Sequence, residues 1–384
     1  MMIRATKVRL YPTHEQVEFL NRQFGAVRFV YNKALHVKSL FYKRTGISLS
    51  PIKDLKPMLS VAKKSRKYTW LKDHDSMALQ QAVLNLGDSF KNFFEGRSGY
   101  PKFKNRHEDQ SSYHCTALSV GENWIKIPKL KGQIPAVVHR EIKGRIKSIT
   151  VSRTVTGKYF ASILVDDGEA APAPGAVSET EVLGIDLGLK HYYTDSKGTK
   201  VDNPRFLGNA LKNLRVKQKT LSRAIKGSAG RTKAKLAVAK AHERVTNSRN
   251  DFLHKLTRHL VDENQAIIVE TLKVKNMVKN RKLARHISDA AWGKFNQFLA
   301  YKAVDAGKHS IKIDPWYPSS KTCSCCGLKR EEMSLSVRIW TCEGCRIVHD
   351  RDENAATNIK SQGLIALKAA GLVVSAGGGL VSPA

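Results

Sequence analysis

The chain opens with alternation. Ile3, Ala5, Val8 and Leu10 interleave with basic residues and stop at Tyr11-Pro12, which predicts a strand over 3–10. Thr13 and Gln16 then stand at capping-box spacing, and Val17, Leu20, Phe24, Val27, Val30, Tyr31 and Leu35 recur at helical intervals behind them. Helical patterns return at 51–65 and 76–95, where Leu79, Ala82, Val83, Leu86, Phe90, Phe93 and Phe94 form an apolar stripe expected to fill a helix-bundle core. From Gly99-Tyr100-Pro101-Lys102-Phe103-Lys104 the pattern shortens to alternating segments at 113–120, 123–128, 133–139, 145–155 and 158–166. Short strands with basic faces suggest a small barrel or sandwich over 1–12 and 99–167, interrupted by a helical insertion over 13–98. Tyr100, Phe103, Tyr113 and Trp124 are candidates to stack on bases or to fill the core.

Gly168-Glu169-Ala170-Ala171-Pro172-Ala173-Pro174-Gly175 marks a linker, expected over 168–180. Behind it come strand patterns near 181–186, 190–195 and 198–202. A long basic helical stretch from roughly 207 to 262 is broken around Lys226-Gly227-Ser228-Ala229-Gly230. Strands at 266–270 and 309–314, a helix near 288–307 and another from about 352 complete an α/β pattern. Residues 365–384 are rich in small side chains and are expected to be a flexible tail.

Composition adds a partner. The 384 residues allow two or three domains, and 66 Lys and Arg against 33 Asp and Glu give a formal net charge of +33 spread along the chain. Such an excess repels itself unless a polyanion neutralises it, and nucleic acid is the expected polyanion. Its binding should weaken steeply with salt as counterions are released. No apolar run approaches a membrane span and the N-terminus lacks a signal-peptide core, so no membrane partner and a cytoplasmic, nucleoid-associated location are expected.

Against this basic background, three acidic points stand out. Val182-Leu183-Gly184-Ile185-Asp186 and Ala266-Ile267-Ile268-Val269-Glu270 each end an apolar strand on a carboxylate. His349-Asp350-Arg351-Asp352-Glu353-Asn354-Ala355-Ala356 starts a helix with acids. Hard divalent cations prefer carboxylate oxygens, so Asp186, Glu270 and Asp352 form a candidate site for Mg2+ or Mn2+ and for phosphodiester hydrolysis, with Asp186 as the bridging ligand. A strand that ends on an acid also simply meets solvent, and Asp352 also reads as a helix N-cap. Asp350 is the alternative to Asp352, with a supporting role if it is not itself a ligand.

Cysteine supplies a second metal signal. Cys323 and Cys326, then Cys342 and Cys345, make two C-x2-C knuckles with 15 residues between them, a pattern for structural Zn2+ held by four thiolates. Cys325 is the spare, because it would place adjacent cysteines in one knuckle. His349 is a further candidate ligand, or a hydrogen-bonded histidine.

The order Gly-Ile-Asp-Leu-Gly, Ile-Val-Glu-Thr-Leu, two C-x2-C knuckles and Asp-Arg-Asp-x-Asn-Ala-Ala-x-Asn-Ile resembles the TnpB (OrfB) proteins of bacterial insertion sequences, relatives of type V CRISPR effectors. Arg9-Leu10-Tyr11-Pro12, Arg28-Phe29-Val30-Tyr31-Asn32, Leu79-Gln80-Gln81-Ala82 and Gly99 to Lys104 extend the resemblance over nearly the whole chain. It implies an RNase H-like (RuvC) nuclease domain over 181–317 and 346–364, with a zinc ribbon at 318–345. It implies further a wedge-like N-terminal barrel carrying a helical recognition insertion. The implied activity is RNA-guided cleavage of double-stranded DNA beside a short target-adjacent motif, with a noncoding guide RNA from the element and catalytic Asp186, Glu270 and Asp352. Two alternatives remain: a nuclease-inactive RNA-guided regulator, which three intact acids oppose, and a transposase acting directly on transposon ends.

Overall fold

The computed structural model describes residues 2–106, 111–116, 118–334 and 336–374, and the chain separates into two units, Met1–Ala170 and Ala171–Ala384. In the first unit, β1 (Ile3–Leu10) is followed by the 32-residue helix α1 (His14–Thr45), then by α2 (Lys56–Ala62) and α3 (Ser76–Phe94). The strands resume as β2 (Ser111–Cys115), β3 (Ser119–Val120), β4 (Trp124–Lys126), β5 (Ile134–Val137), β6 (Arg145–Arg153) and β7 (Tyr159–Asp166). The capping box forms: Thr13 Oγ1 accepts from Gln16 N–H at 3.4 Å, and Gln16 Oε1 accepts from Thr13 N–H at 3.1 Å. Gly46, at φ 71°, ends α1 in the left-handed region that a glycine adopts without a Cβ penalty.

Strand β1 pairs antiparallel with β7 from Ile3↔Asp166 to Leu10↔Tyr159, and its far end also pairs with β5. The sheet order is β2-β6-β7-β1-β5-β4-β3. The first strand thus joins strands more than a hundred residues away, and the helices between them are an insertion. Leu79, Ala82, Val83, Leu86 and Phe90 are buried as the helical stripe requires, but Phe94 is 75% exposed at the end of α3. Of the aromatics expected to meet either bases or the core, Tyr113 is buried against Phe24, whereas Tyr100 and Phe103 are exposed.

The second unit begins earlier than its expected first strand. β8 (Val177–Ser178) lies inside the predicted linker and pairs in parallel with β16 (Val373–Val374). Between them run β9 (Val182–Leu187), β10 (His191–Asp195), β11 (Lys200–Asp202), α4 (Phe206–Arg223), α5 (Ala229–Glu263) and β12 (Ala266–Val269). There follow α6 (Val274–Met277), α7 (Ala284–Ala290), α8 (Trp292–Asp305), β13 (His309–Lys312), β14 (Ile339–Thr341), β15 (Val348–Asp350) and α9 (Arg351–Ala369). The helix expected near 288–307 is two helices, broken at Ala291 with φ 54°. The tail does not begin at 365, because α9 runs to Ala369 and buries Leu367, and Val373 is buried beside Val177. Residues 375–384 of that expected tail lie outside the described residues. The β14–β15 hairpin runs past the expected ribbon boundary at 345 and ends at Asp350. Among the described residues, no helix is long and apolar enough to cross a membrane.

The main sheet of this unit has the order β11-β10-β9-β12-β13. β10 runs antiparallel to both β9 and β11, while β9, β12 and β13 are mutually parallel. Parallel neighbours need crossovers that cover both faces, which explains why every residue of β12 is apolar and buried. Leu183, Ile185, Leu187, Ile267 and Val269 pack with Leu253 and Leu260 of α5 and with Phe295 and Leu299 of α8. Val182, Ala266 and Ile268 pack on the other face with Ile359 and Leu367 of α9. Each such buried side chain contributes roughly 1.5–3 kcal/mol of transfer free energy. This alternation decides which face receives the acids.

Candidate functional site

In the parallel register of β9 and β12, Ile185 stands opposite Val269. One residue further on, Asp186 and Glu270 are therefore side by side. Period-two alternation puts Asp186 on the face of Val182 and Gly184, and Glu270 on the face of Ala266 and Ile268, which is the face that α9 covers. Helix α9 lies close against β9 because Gly184 has no side chain. A Cβ there would collide with the carbonyl oxygen of Ala356, and one at Gly363 would collide with the Ile268 side chain. The first turn of α9 carries Asp352 to the same end of the sheet.

Electrostatics reports the convergence. Burial pushes the Asp186 carboxyl well above the usual carboxylate range, and the charges of Glu270 and Asp352 push it the same way against Arg351 and Arg338. Burial also raises Glu270, opposed by the Ser319 hydroxyl that donates to Glu270 Oε1 at 2.8 Å. A desolvated carboxylate facing two other acids is stabilised as an anion by a bound cation, and an all-oxygen donor set fits Mg2+ or Mn2+. The acids are less tightly gathered than the sulfurs. Among the described residues, only the four cysteines bring three or more His, Cys, Asp or Glu ligand atoms all within 4.8 Å of one another. Arg338 Nη1 instead donates to both oxygens of Asp352 at 3.2 Å.

Asp350 and Asp352 are now distinguished. Asp350 is the N-cap of α9: its Oδ1 accepts from the N–H groups of Asp352 at 2.9 Å and Glu353 at 3.2 Å. Its Oδ2 accepts from Lys200 Nζ at 2.8 Å. Burial raises the Asp350 carboxyl, but the hydrogen bonds from Lys200 and the two amides outweigh it and leave the group below its ordinary value. The capping role that the sequence also allowed for Asp352 thus falls to Asp350, which leaves the Asp352 carboxylate to meet Arg338.

The cysteines gather at one point. Cys323 Sγ lies 3.6 Å from Cys345 Sγ, and Cys326 Sγ lies 3.5 Å from Cys342 Sγ. Four thiolates at about 2.3 Å around tetrahedral Zn2+ would stand roughly 3.8 Å apart, so the cluster fits that ion with little adjustment. Backbone N–H groups of Cys345 and Gly344 hold the Cys342 thiol down to about 6, whereas burial and the neighbouring thiols push Cys345 up to about 12, so without a metal the cluster favours the thiolate at Cys342. Cys325 is exposed and stays outside the cluster. His349 is buried, with Nε2 at 3.1 Å from Cys323 Sγ and its ring 4.9 Å from that of Trp340. It therefore supports a ligand sulfur and is not part of the four-sulfur set.

Sequence reading missed several members of this region. Buried Asn354 and Asn358, one turn apart on α9, donate to the Thr322 carbonyl at 2.8 and 2.6 Å, and Asn358 also donates to the Ser319 carbonyl at 2.8 Å. They tie the loop that carries Ser319 and the first knuckle to the helix that carries Asp352. Their i,i+4 spacing was a usable signal. Lys200, Ser319 and Arg338 had none, because their partners are distant in sequence.

Three comparisons place this arrangement among known proteins. Residues 162–281 match the OrfB family described as "Probable transposase", and residues 292–359 match the description "Cas12f1-like, TNB domain". Residues 1–46 match a "Helix-turn-helix domain", where the structure shows a strand followed by the single helix α1. Over 367 residues the chain is 41% identical to a Streptomyces pristinaespiralis protein named "Putative RNA-guided DNA endonuclease", covering 94% of this chain and 90% of that one. The chain belongs to the TnpB (OrfB) family. A second relative, "Putative RNA-guided DNA endonuclease InsQ" of Escherichia coli K12, is 30% identical over 390 residues, with 97% and 95% of the two chains covered. The fold is shared with a chain from a Cas12f1-sgRNA-target DNA complex at TM-score 0.55 and 14% identity, over 91% of this chain and 83% of that one.

Proposed function

We propose that the protein is an RNA-guided DNA endonuclease that hydrolyses phosphodiester bonds at Asp186, Glu270 and Asp352. The observation that carries this reading is the side-by-side placement of Asp186 and Glu270 on the face covered by α9, with the charge of Asp352 felt at Asp186. The strand order, with the first three strands antiparallel and the last two parallel to the first, supports an RNase H-like (RuvC) domain. The seven-stranded sheet interrupted after β1 by helices supports a wedge-like barrel with a recognition insertion. The relatives named as RNA-guided DNA endonucleases, together with the charge of +33, support guide RNA and target DNA as partners.

Within this mechanism Asp186, Glu270 and Asp352 would together hold the divalent cations, with Asp186 nearest the charges of the other two. Divalent ions bound by these carboxylates would supply Lewis-acid activation of a water and charge stabilisation for phosphodiester hydrolysis. Ser319 orients Glu270 by donating to Oε1, and Asp350 with Lys200 fixes the helix start from which Asp352 projects. Asp186 and Glu270 are half-buried, and their desolvation strengthens their hold on a cation. The four cysteines would hold a structural Zn2+, which would order the loop leading to Arg338 and α9.

The test uses the full chain with the RNA that copurifies with it. Sequencing that RNA defines a matched duplex, which should be cut in Mg2+ or Mn2+ and left intact by Asp186→Ala. Matched duplex that is bound but never cut would establish the regulator. Cutting that tracks transposon ends regardless of the guide would establish the transposase.

A further inference from the structure

We infer that Trp316 is the platform on which a nucleobase of single-stranded DNA stacks as that strand enters the acidic site. This rests on the nuclease reading above and adds to it a substrate-positioning residue. Trp316 is 78% exposed, although an indole offers about 150–250 Å² of surface that ordinarily contributes to a core or an interface. It sits on the loop after β13, at the same end of the sheet as Glu270.

That loop is fixed to the loop after β12 at three points. Thr271 Oγ1 donates to the Ile313 carbonyl at 2.6 Å, and Ser319 Oγ donates to Glu270 Oε1 at 2.8 Å. Lys273 Nζ stands 3.9 Å from the centroid of the Trp316 ring. Trp316 N–H also donates to Asp314 Oδ1 at 2.7 Å, which closes the turn from which the side chain projects. The indole is thus displayed on a braced loop only three residues from Ser319 and its contact with Glu270. Three residues span at most about 11 Å, which limits the platform to a few nucleotides from the acids.

The chemistry of the position selects its occupant. An ammonium over one ring face leaves the other face open and supplies positive charge beside it, so a flat aromatic group attached to an anion is complementary. A nucleotide of an unpaired strand has both. Bases inside a duplex are already stacked and cannot reach an indole in this way. An apolar protein partner would gain nothing from Lys273. Any base has a π-face, so this contact positions the strand without reading its sequence.

The experiment reads the contact without cutting. Full-length protein carrying Asp186→Ala is irradiated with a single-stranded oligodeoxynucleotide containing 5-iododeoxyuridine at successive positions, and adducts are mapped by mass spectrometry. We expect an adduct on Trp316. Trp316→Ala should weaken oligonucleotide binding about tenfold, while Trp316→Phe, which keeps a stacking face, should stay within about twofold of the parent. Unchanged zinc content in Trp316→Ala shows that the neighbouring ribbon is intact. Adducts elsewhere with none on Trp316, no adduct at all, or unchanged binding by Trp316→Ala would overturn the inference. Failure of the nuclease reading appears separately, as guide-matched DNA that protein with an intact Asp186 does not cut.

Discussion

Lys200 reaches from β11 to the start of α9, where its Nζ lies 2.8 Å from Asp350 Oδ2 and 2.8 Å from Glu353 Oε1. These hydrogen bonds raise the Lys200 pKa to about 12, so the ammonium remains charged throughout the range in which a nuclease is assayed. Asp350 spends its other oxygen on the amides of Asp352 and Glu353. The two acids two residues apart therefore have separable roles. Asp350→Asn keeps a good cap and loses only the charge that meets Lys200, so cutting should fall less than about tenfold. Asp352→Asn should abolish it. Lys200→Met should raise the Mg2+ concentration needed for half-maximal cutting several-fold, with about 1 kcal/mol lost from stability. Single-turnover cutting across a Mg2+ titration checks all three, and equal defects in the two Asn variants would refute the division of roles.

Gly184 is where helix α9 meets the sheet. Gly184→Ala puts a methyl group against the backbone of Ala356 and Lys360, which cannot rotate out of the way as a side chain would. We expect a loss of at least about 2 kcal/mol in stability and a loss of cutting, because Asp352 moves with the helix. Gly208→Ala, where the new Cβ meets only ordinary contact inside α4, should be neutral or stabilising by up to about 1 kcal/mol. Urea unfolding midpoints of the two variants provide the comparison.

For the sulfur cluster, metal analysis by mass spectrometry should return about one zinc per chain. Cys326→Ser should lose it, whereas Cys325→Ser should retain it, because Cys325 stands outside the cluster. Loss of the metal should also increase proteolysis of the 318–350 segment and reduce cutting, since Arg338 and the Ser319 loop are both ordered there. Zinc retention by Cys326→Ser would refute the ligand assignment.

Lys302 supplies a pH dependence away from both the acidic residues and the cysteine cluster. Buried in α8, it donates to the His254 carbonyl at 2.6 Å and Thr257 Oγ1 at 2.9 Å. Burial, with help from Arg258, brings its pKa down to about 8. An unfolded lysine titrates near 10.4, so between about pH 8 and 10.4 the unfolded chain binds more protons than the folded one. In that window the contribution of Lys302 to stability rises with pH. Lys302→Met lacks this term, so its stability relative to the parent should be more favourable at pH 8 than at pH 10. Urea midpoints that shift in parallel between the two pH values would contradict the assignment.

Much of the fold was legible because it is encoded locally. Alternation located β1, the strands of the first sheet, and the apolar runs of β9 and β12, while the Thr13–Gln16 box marked the start of α1. The errors lie where local pattern and tertiary context part. Phe94 continues the helical stripe of α3 but projects beyond the core at the helix end, and Val177 and Val373 look like linker and tail until each supplies the other's strand partner. The break at Ala291 falls on an alanine, with a glycine, Gly293, only two residues beyond it.

The sequence alone determined the donor sets, since four cysteines in paired knuckles and carboxylates closing apolar strands carry their chemistry in residue type and spacing. Tertiary structure decided how those donors are used. It aligned Asp186 with Glu270 through the register of two strands about eighty residues apart, and assigned capping to Asp350, whose other oxygen Lys200 holds. It also set Arg338 on Asp352 and Ser319 on Glu270. The physical reason is range: propensity and periodicity act over a few residues, whereas a shared charge site is made by side chains that meet only after the sheet has formed and α9 has packed against Gly184.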